Sequence, residues 1–269
     1  MNLKDVNKIE KKEKLCRFLK GIICVPKCVS CGEVLSLERL EDGGNIFCDK
    51  CRSRWEKEKL RRCDICLRDH SECTCPTEIL ASSGCGVLVS LVPYESGGSG
   101  VVAKAIFRIK NEYDSELTDF LAKELCYRIF SMAYDIGFDN IVVTYAPRTD
   151  KARREKGHDQ SEVLAKRLAV HLGTRSFKMI RRSRGLSGRR KQKKLGKDER
   201  VKNAKSSFVP TKDIGYAEGK CVILVDDVVT TGSSLGACTR ILRDAGALSV
   251  MCVTVAKTVQ KSDKPKTYK

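Results

Sequence analysis

The stretch CVILVDDVVTTGSSL, residues 221–235, joins a short apolar run to two carboxylates and then to a turn rich in hydroxyls. Residues 222–225 have the length and β-branching of a buried parallel strand and are too few for a helix of their own. Such a strand delivers Asp226 and Asp227 to its carboxyl end, where open α/β sheets place their ligands. Thr230, Thr231, Gly232, Ser233 and Ser234 follow. They offer backbone N–H groups, hydroxyls and a helix N-terminus, a combination that favours a phosphate. Gly232 lets the main chain approach that anion with no Cβ in the way. A plain acidic turn with Thr and Ser caps would need neither the paired acids nor this loop composition. Acids for sugar hydroxyls just ahead of an anion cradle suit a ribose 5-phosphate.

The same residues resemble the phosphoribosyl-diphosphate (PRPP) motif of type I phosphoribosyltransferases: four apolar residues, two acids and a loop containing Thr-Thr-Gly. The resemblance implies that Asp226 and Asp227, as the catalytic pair, hold the ribose hydroxyls. It gives the 5-phosphate to Thr230, Thr231, Gly232, Ser233 and Ser234, and it implies Mg2+ arriving with PRPP. Ser234 stands where the family often has Thr, which keeps the hydroxyl. Upstream, residues 141–145 (IVVTY) read as another strand, and Ala146, Pro147 and Arg148 leave its carboxyl end. In type I enzymes the loop at this place binds pyrophosphate, so the resemblance assigns that role to these three residues.

The chain has 269 residues, enough for one α/β domain and a smaller module. Lys and Arg number 52 against 34 acids, a formal charge of +18 that implies polyanionic partners or solubility against nonspecific association and says nothing about fold. Aromatics are only 6%, which argues against broad platforms for stacked bases. No run of eighteen apolar residues exists, so no membrane span is expected. The amino terminus, MNLKDVNKIEKKEK, lacks the apolar core and cleavage site of a signal peptide, and a cytoplasmic location is expected.

In that setting fifteen cysteines point to metal rather than disulfides. Two Cys-x-x-Cys knuckles, Cys28/Cys31 and Cys48/Cys51, are spaced to wrap four thiolates around a tetrahedral zinc, with a Gly43-Gly44 turn in the ribbon between them. Cys63/Cys66 and Cys73/Cys75 form a second set whose last spacing is Cys-x-Cys. There His70 could replace a thiolate, and a crossed pairing of Cys48/Cys51 with Cys63/Cys66 is also open. Two structural zinc ions are expected, with no open ligand position for chemistry. Trp55 is expected to bridge the two ribbons. Cys24, Cys85, Cys126, Cys221, Cys238 and Cys252 lack knuckle spacing and read as small core residues.

The rest of the chain divides into a charged arm with a short amphipathic helix (1–27), the double ribbon (28–80), a phosphoribosyltransferase domain (81–257) and a polar tail (258–269). Within the domain, residues 87–92 read as a strand that Pro93 and Tyr94 turn into a Gly/Ser-rich loop. Helices are expected over about 101–110, 115–134 and 232–245, the last stopped by Gly246, and a final strand over 248–255. His158 and His171 read as surface or packing residues.

Zinc ribbons ahead of such a domain, with a Gly-x-x-Gln segment after its first central strand, resemble the ComF family. Tyr94 and the spaced Gln192, Leu195, Arg200, Asn203 and Phe208 agree with it. Lys156-Gly157-His158-Asp159-Gln160 replaces a more usual Arg-Gly-Phe-Asn-Gln, which leaves the contacts of Lys156, His158 and Asp159 open. The resemblance implies an enzyme that displaces pyrophosphate from Mg-PRPP with an unidentified acceptor, a nucleobase or a nucleic acid. It also implies a link to DNA uptake in competent bacteria.

Residues 175–205 carry fourteen Lys/Arg and two acids around Arg189, Arg190, Lys191, Lys193 and Lys194. In the fold family a hood closes over the site near this position. The surplus charge suggests a longer polyanion, such as single-stranded DNA, and so a second reading: a non-catalytic nucleic-acid-binding protein that keeps the PRPP fold as sensor or scaffold.

Overall fold

A computed structural model of the protein describes residues 25–35, 46–132, 140–183 and 207–259. The expected amphipathic helix, the Gly43-Gly44 turn, the centre of the basic segment and the tail beyond 259 lie outside these residues. Four strands form one parallel sheet in the order β1-β6-β5-β2: β1 (Val87–Tyr94), β2 (Ile141–Tyr145), β5 (Cys221–Val229) and β6 (Ser249–Thr258). Residues alternate between the two faces of each strand. Ile223 and Val225 therefore join one core and Val222 and Leu224 the other, and all four are buried. This accounts for the unbroken apolar run that marks the strand in the sequence.

On the first face lie α3 (Val101–Asn111), α4 (Ser115–Met132) and α6 (Gln160–His171). The second face carries α2 (Glu78–Ala81), α7 (Ser233–Asp244) and a two-stranded antiparallel ribbon of β3 (Ile180–Arg182) and β4 (Phe208–Pro210). A short helix, α5 (Asp150–Lys156), follows β2, and α1 (Asp49–Lys59) follows the second knuckle. An α/β domain with a mostly parallel sheet, preceded by a cysteine-rich segment, is the expected fold class.

Some expectations give way. Pro93 and Tyr94 do not turn the chain but continue β1, opposite Lys257 and Thr258 of β6. Proline is tolerated there because β1 is an edge strand. β5 runs to Val229, so the two acids sit near its carboxyl end but inside the ladder, with Asp226 opposite Thr254. Trp55, fully buried on α1, does not bridge the ribbons. Its ring centroid is 5.5 Å from that of Phe47 and 6.1 Å from that of Phe120 on α4. It thus ties the first knuckle pair to the sheet domain, and the two regions share one apolar cluster.

Candidate active site

β5 ends in a loop whose conformation depends on one residue. Gly232 has φ +81°, a left-handed value that a side chain disfavours, and it caps α7 without any side-chain hydrogen bond. The N-cap residue thus claims none of the N–H groups of the first helical turn, although the Ser233 N–H donates to Thr231 Oγ1 at 3.4 Å, and twelve residues of helix lie behind them. Thr231 and Ser233 share a hydroxyl–hydroxyl hydrogen bond of 2.9 Å at the mouth of this loop. Thr230 and Thr231 are exposed, and Ser233 and Ser234 half-buried.

The acidic pair lies one turn earlier. Asp226 Oδ1 accepts from Ser161 Oγ at 2.8 Å and from the Asp227 N–H at 2.9 Å. Asp227, 7% exposed, accepts from the Val228 N–H at 2.6 Å and from the Arg148 guanidinium at 2.5 Å. Burial of the Asp226 carboxyl, reinforced by the charge of Asp227, raises its pKa to about 7. Ser161 and Arg148 pull in the opposite direction but do not outweigh these effects. Both of the hydrogen bonds to Asp226 fall on Oδ1, while burial and the like charge beside it disfavour its ionised form.

The loop after β2 is held quite differently. The Arg148 N–H donates to Asp159 Oδ2 at 2.9 Å, while the Pro147 carbonyl accepts from Arg182 Nε at 3.1 Å. Arg182 in turn lies 4.1 Å above the Phe208 ring. Asp159 also caps α6, accepting from the Ser161 N–H at 3.2 Å, so one carboxylate fixes both the loop and the helix that carries Ser161. Ala146 continues the sheet through its N–H bond to the Val225 carbonyl at 2.9 Å.

The structure thus gathers Ala146, Pro147 and Arg148 around the same strand ends as Asp226 and Asp227. It adds Ser161, Asp159 and Arg182, which sequence reasoning did not assign. The available signal was the Asp-Gln-Ser run at the start of α6, which reads as a helix cap. The contacts left open are now defined. Lys156 Nζ donates to Asn111 at 2.8 Å, and the His158 ring meets Tyr113 edge-on at 5.5 Å and Gln160 Nε2 at 3.1 Å. His171 pairs with Asp119 at 2.9 Å, so both histidines have packing or surface roles. Arg189, Arg190, Lys191, Lys193 and Lys194 lie outside the described residues, but both ends of their segment are tied together where Arg182 pairs with Phe208. A cavity of about 620 Å³ lies elsewhere, between α3, the Gly97-Gly98 loop and Val29.

The cysteines form two groups, Cys28/Cys31/Cys48/Cys51 and Cys63/Cys66/Cys73/Cys75, each with its sulfur atoms within 4.8 Å of one another. A tetrahedral zinc with bonds of about 2.3 Å spaces its sulfurs by roughly 3.8 Å, so either group can hold one. The simpler pairing holds and the crossed one does not. Four thiols complete the second group without His70, which is buried 2% exposed. Burial, with the nearby charges of Lys257 and Arg61, lowers its pKa to about 4. Of the other cysteines, Cys85, Cys126, Cys238 and Cys252 are buried in the core, Cys221 is half-buried, and Cys24 lies outside the described residues.

Residues 158–269 match the family model described as a phosphoribosyl transferase domain. This span contains the acidic pair and the loop after β5, but neither Arg148 nor the cysteine groups. No curated protein matches the sequence. Among solved structures, the allosteric regulatory enzyme of purine biosynthesis is similar at 17% identity and a TM-score of 0.35, over 55% of this chain and 30% of that one. The purine phosphoribosyltransferase from Pyrococcus horikoshii is 16% identical at a TM-score of 0.31, over 52% and 71% of the two chains. A hypoxanthine phosphoribosyltransferase from Staphylococcus aureus gives 14% and 0.33, over 53% and 75%. No helix among the described residues is long and apolar enough to cross a membrane. The family match from residue 158 onward thus takes in β5 and β6 of the parallel sheet, while β1 and β2 precede it.

Proposed function

We propose that this protein is a ComF-like phosphoribosyltransferase that displaces pyrophosphate from PRPP with a nucleobase or nucleic-acid acceptor. The observation that supports it most is the carboxyl end of β5, where Asp226 and Asp227 stand just ahead of a Gly232-capped helix start. In this reading Thr230, Thr231, Gly232, Ser233 and Ser234 hold the 5-phosphate, and the two aspartates accept from the ribose hydroxyls. Arg148, with Ala146 and Pro147, faces the pyrophosphate, and it leaves Asp227 to do so. The acceptor lone pair forms the new bond to C1 as the C1–O bond breaks, and pyrophosphate departs with that electron pair. The protein's part is positioning and charge stabilisation, because no side chain need attack the sugar. Mg2+ bound with PRPP would neutralise charge on the leaving group, and an acidic pair accepting from the ribose is compatible with it. A segment closing over the site would keep water from the electron-poor sugar, and the basic stretch of residues 175–205 is proposed to contain that hood.

Labelled PRPP incubated with a panel of bases and oligonucleotides tests this. Label transfer with pyrophosphate release supports it, and PRPP binding without turnover on any acceptor favours the sensor reading. That second reading draws on the basic segment. Single-strand binding through five phosphates there would give a log–log salt slope of about −3.5. Replacing Arg189, Arg190, Lys191, Lys193 and Lys194 with Gln should flatten it, and an unchanged slope would leave the segment as a hood only. A role in DNA uptake and a cytoplasmic location belong to the same proposal. The two cysteine groups are proposed to hold structural zinc, which elemental analysis of freshly purified protein would detect at about two ions per chain.

A further inference from the structure

We propose that Thr77, which reaches the site from the cysteine-rich segment, is a positioning residue for the phosphate loop. The inference rests on reading residues 230–234 as the 5-phosphate cradle and adds a component from outside the phosphoribosyl transferase match.

Thr77 is the N-cap of α2. Its Oγ1 accepts from the Leu80 N–H at 3.4 Å and donates to the Thr231 carbonyl at 3.0 Å. A trans peptide is planar, with its C=O and N–H pointing in opposite directions, and among the described residues there are no cis bonds. Holding the Thr231 carbonyl against Thr77 therefore turns the Gly232 N–H away from α2. That N–H is among the donors an anion at the start of α7 would use.

The approach is close enough to explain the glycines of α7. A Cβ on Gly232 would stand 2.5 Å from Thr77 Oγ1 and 2.8 Å from Leu80 Cγ. One turn on, a Cβ on Gly236 would meet Ser83 Oγ at 3.2 Å. Gly232 thus serves two purposes, a left-handed φ and contact with α2. Sequence reasoning saw only the space it leaves for an anion.

Thr77 is itself held from behind. The Cys73 carbonyl accepts from Arg128 at 3.1 Å, the Thr74 carbonyl from the Leu88 N–H at 3.1 Å, and the Cys75 carbonyl from Lys257 Nζ at 3.2 Å. Residues 73–75 also carry two thiols of the second cysteine group. The chain that leaves this group is thus pinned to α4, β1 and β6 before it reaches the phosphate loop. The cysteine-rich segment becomes part of the site's scaffold.

The test is calorimetry of the full chain, Thr77→Val and Thr77→Ser with PRPP, ribose 5-phosphate and inorganic pyrophosphate. Loss of one hydrogen bond that aims a donor should weaken PRPP and ribose 5-phosphate about three- to tenfold in Thr77→Val. Pyrophosphate should bind unchanged, and Thr77→Ser, which keeps the hydroxyl, should match the parent. Parent-like ribose 5-phosphate affinity in Thr77→Val would overturn the inference alone. So would an equal loss for pyrophosphate, since that is what general damage to α2 would produce. If the parent binds neither ribose 5-phosphate nor PRPP, the cradle reading fails and this inference with it.

Discussion

Two loops leave neighbouring strands of the same sheet, and they are built on opposite plans. The loop after β5 is shaped from within: Gly232 supplies the left-handed turn, Thr231 and Ser233 bond to each other, and α7 begins at once. By contrast, the loop after β2 is shaped from without. Asp159 holds the Arg148 N–H, Arg182 holds the Pro147 carbonyl, and Asp227 holds the Arg148 side chain. The first loop carries its turn in consecutive residues and takes one hydrogen bond from outside, from Thr77 to the Thr231 carbonyl, while the second is held by three side chains from other elements, up to 79 positions away. The first suits a group that must always bind alike, and the second suits a contact that must be made and released.

The largest effect should come from striking the self-shaped loop at its one indispensable residue. Gly232→Ala would place a Cβ in a left-handed conformation and against Thr77 and Leu80. The backbone strain alone costs about 1–2 kcal/mol. PRPP affinity should fall at least tenfold with the melting temperature reduced, and calorimetry beside a thermal melt measures both. Parent-like affinity would mean the loop is not built around that glycine.

A smaller effect is expected on the other loop. Asp159→Asn keeps the shape but weakens a charge-assisted bond to the Arg148 N–H, for about 1 kcal/mol or roughly a fivefold loss of pyrophosphate affinity. Ribose 5-phosphate affinity should barely move. Equal losses for both ligands would erase the contrast between the two loops.

A third effect is one of pH, and it is read in stability rather than in ligand affinity. Asp226 has a folded pKa of about 7, above the unfolded value of about 3.9. The folded state thus holds this proton more tightly. Folding is progressively disfavoured as pH rises from about 4 to 7 and bears the full penalty above. Asp226→Asn removes that penalty, so it should be more stable than the parent at pH 8 and differ less at pH 5. Chemical denaturation at the two pH values checks the sign. A variant less stable at pH 8 would mean that the charged form is favoured in the fold.

The same contrast explains what could be read from the chain. The strand, the two acids and the turn that starts α7 were legible in the β5 unit because each feature falls on adjacent residues. The cysteine pairs were legible because their spacing is local, but which pairs share a group was left open and is decided by the structure. Ser161, Asp159, Arg182 and Thr77 were not, since each acts on a partner remote in sequence. Pro93 misled because its meaning depends on strand order: on the edge strand β1 it need not end the strand. α1 was missed because charged residues fill most of its surface, leaving only Cys51 and Trp55 buried.

The central claim is that Asp226 and Asp227 hold a ribose beside a phosphate cradle. It is tested most directly by titrating PRPP into the parent and into Asp226→Asn with Asp227→Asn. Losing two charge-assisted hydrogen bonds, at about 1.5–3 kcal/mol each, predicts a fall of roughly a hundredfold or more in affinity. The fold should be retained, since asparagine keeps the size of each side chain and its carbonyl oxygen can still accept the N–H and hydroxyl bonds. Unchanged PRPP affinity in the folded double variant would contradict the account.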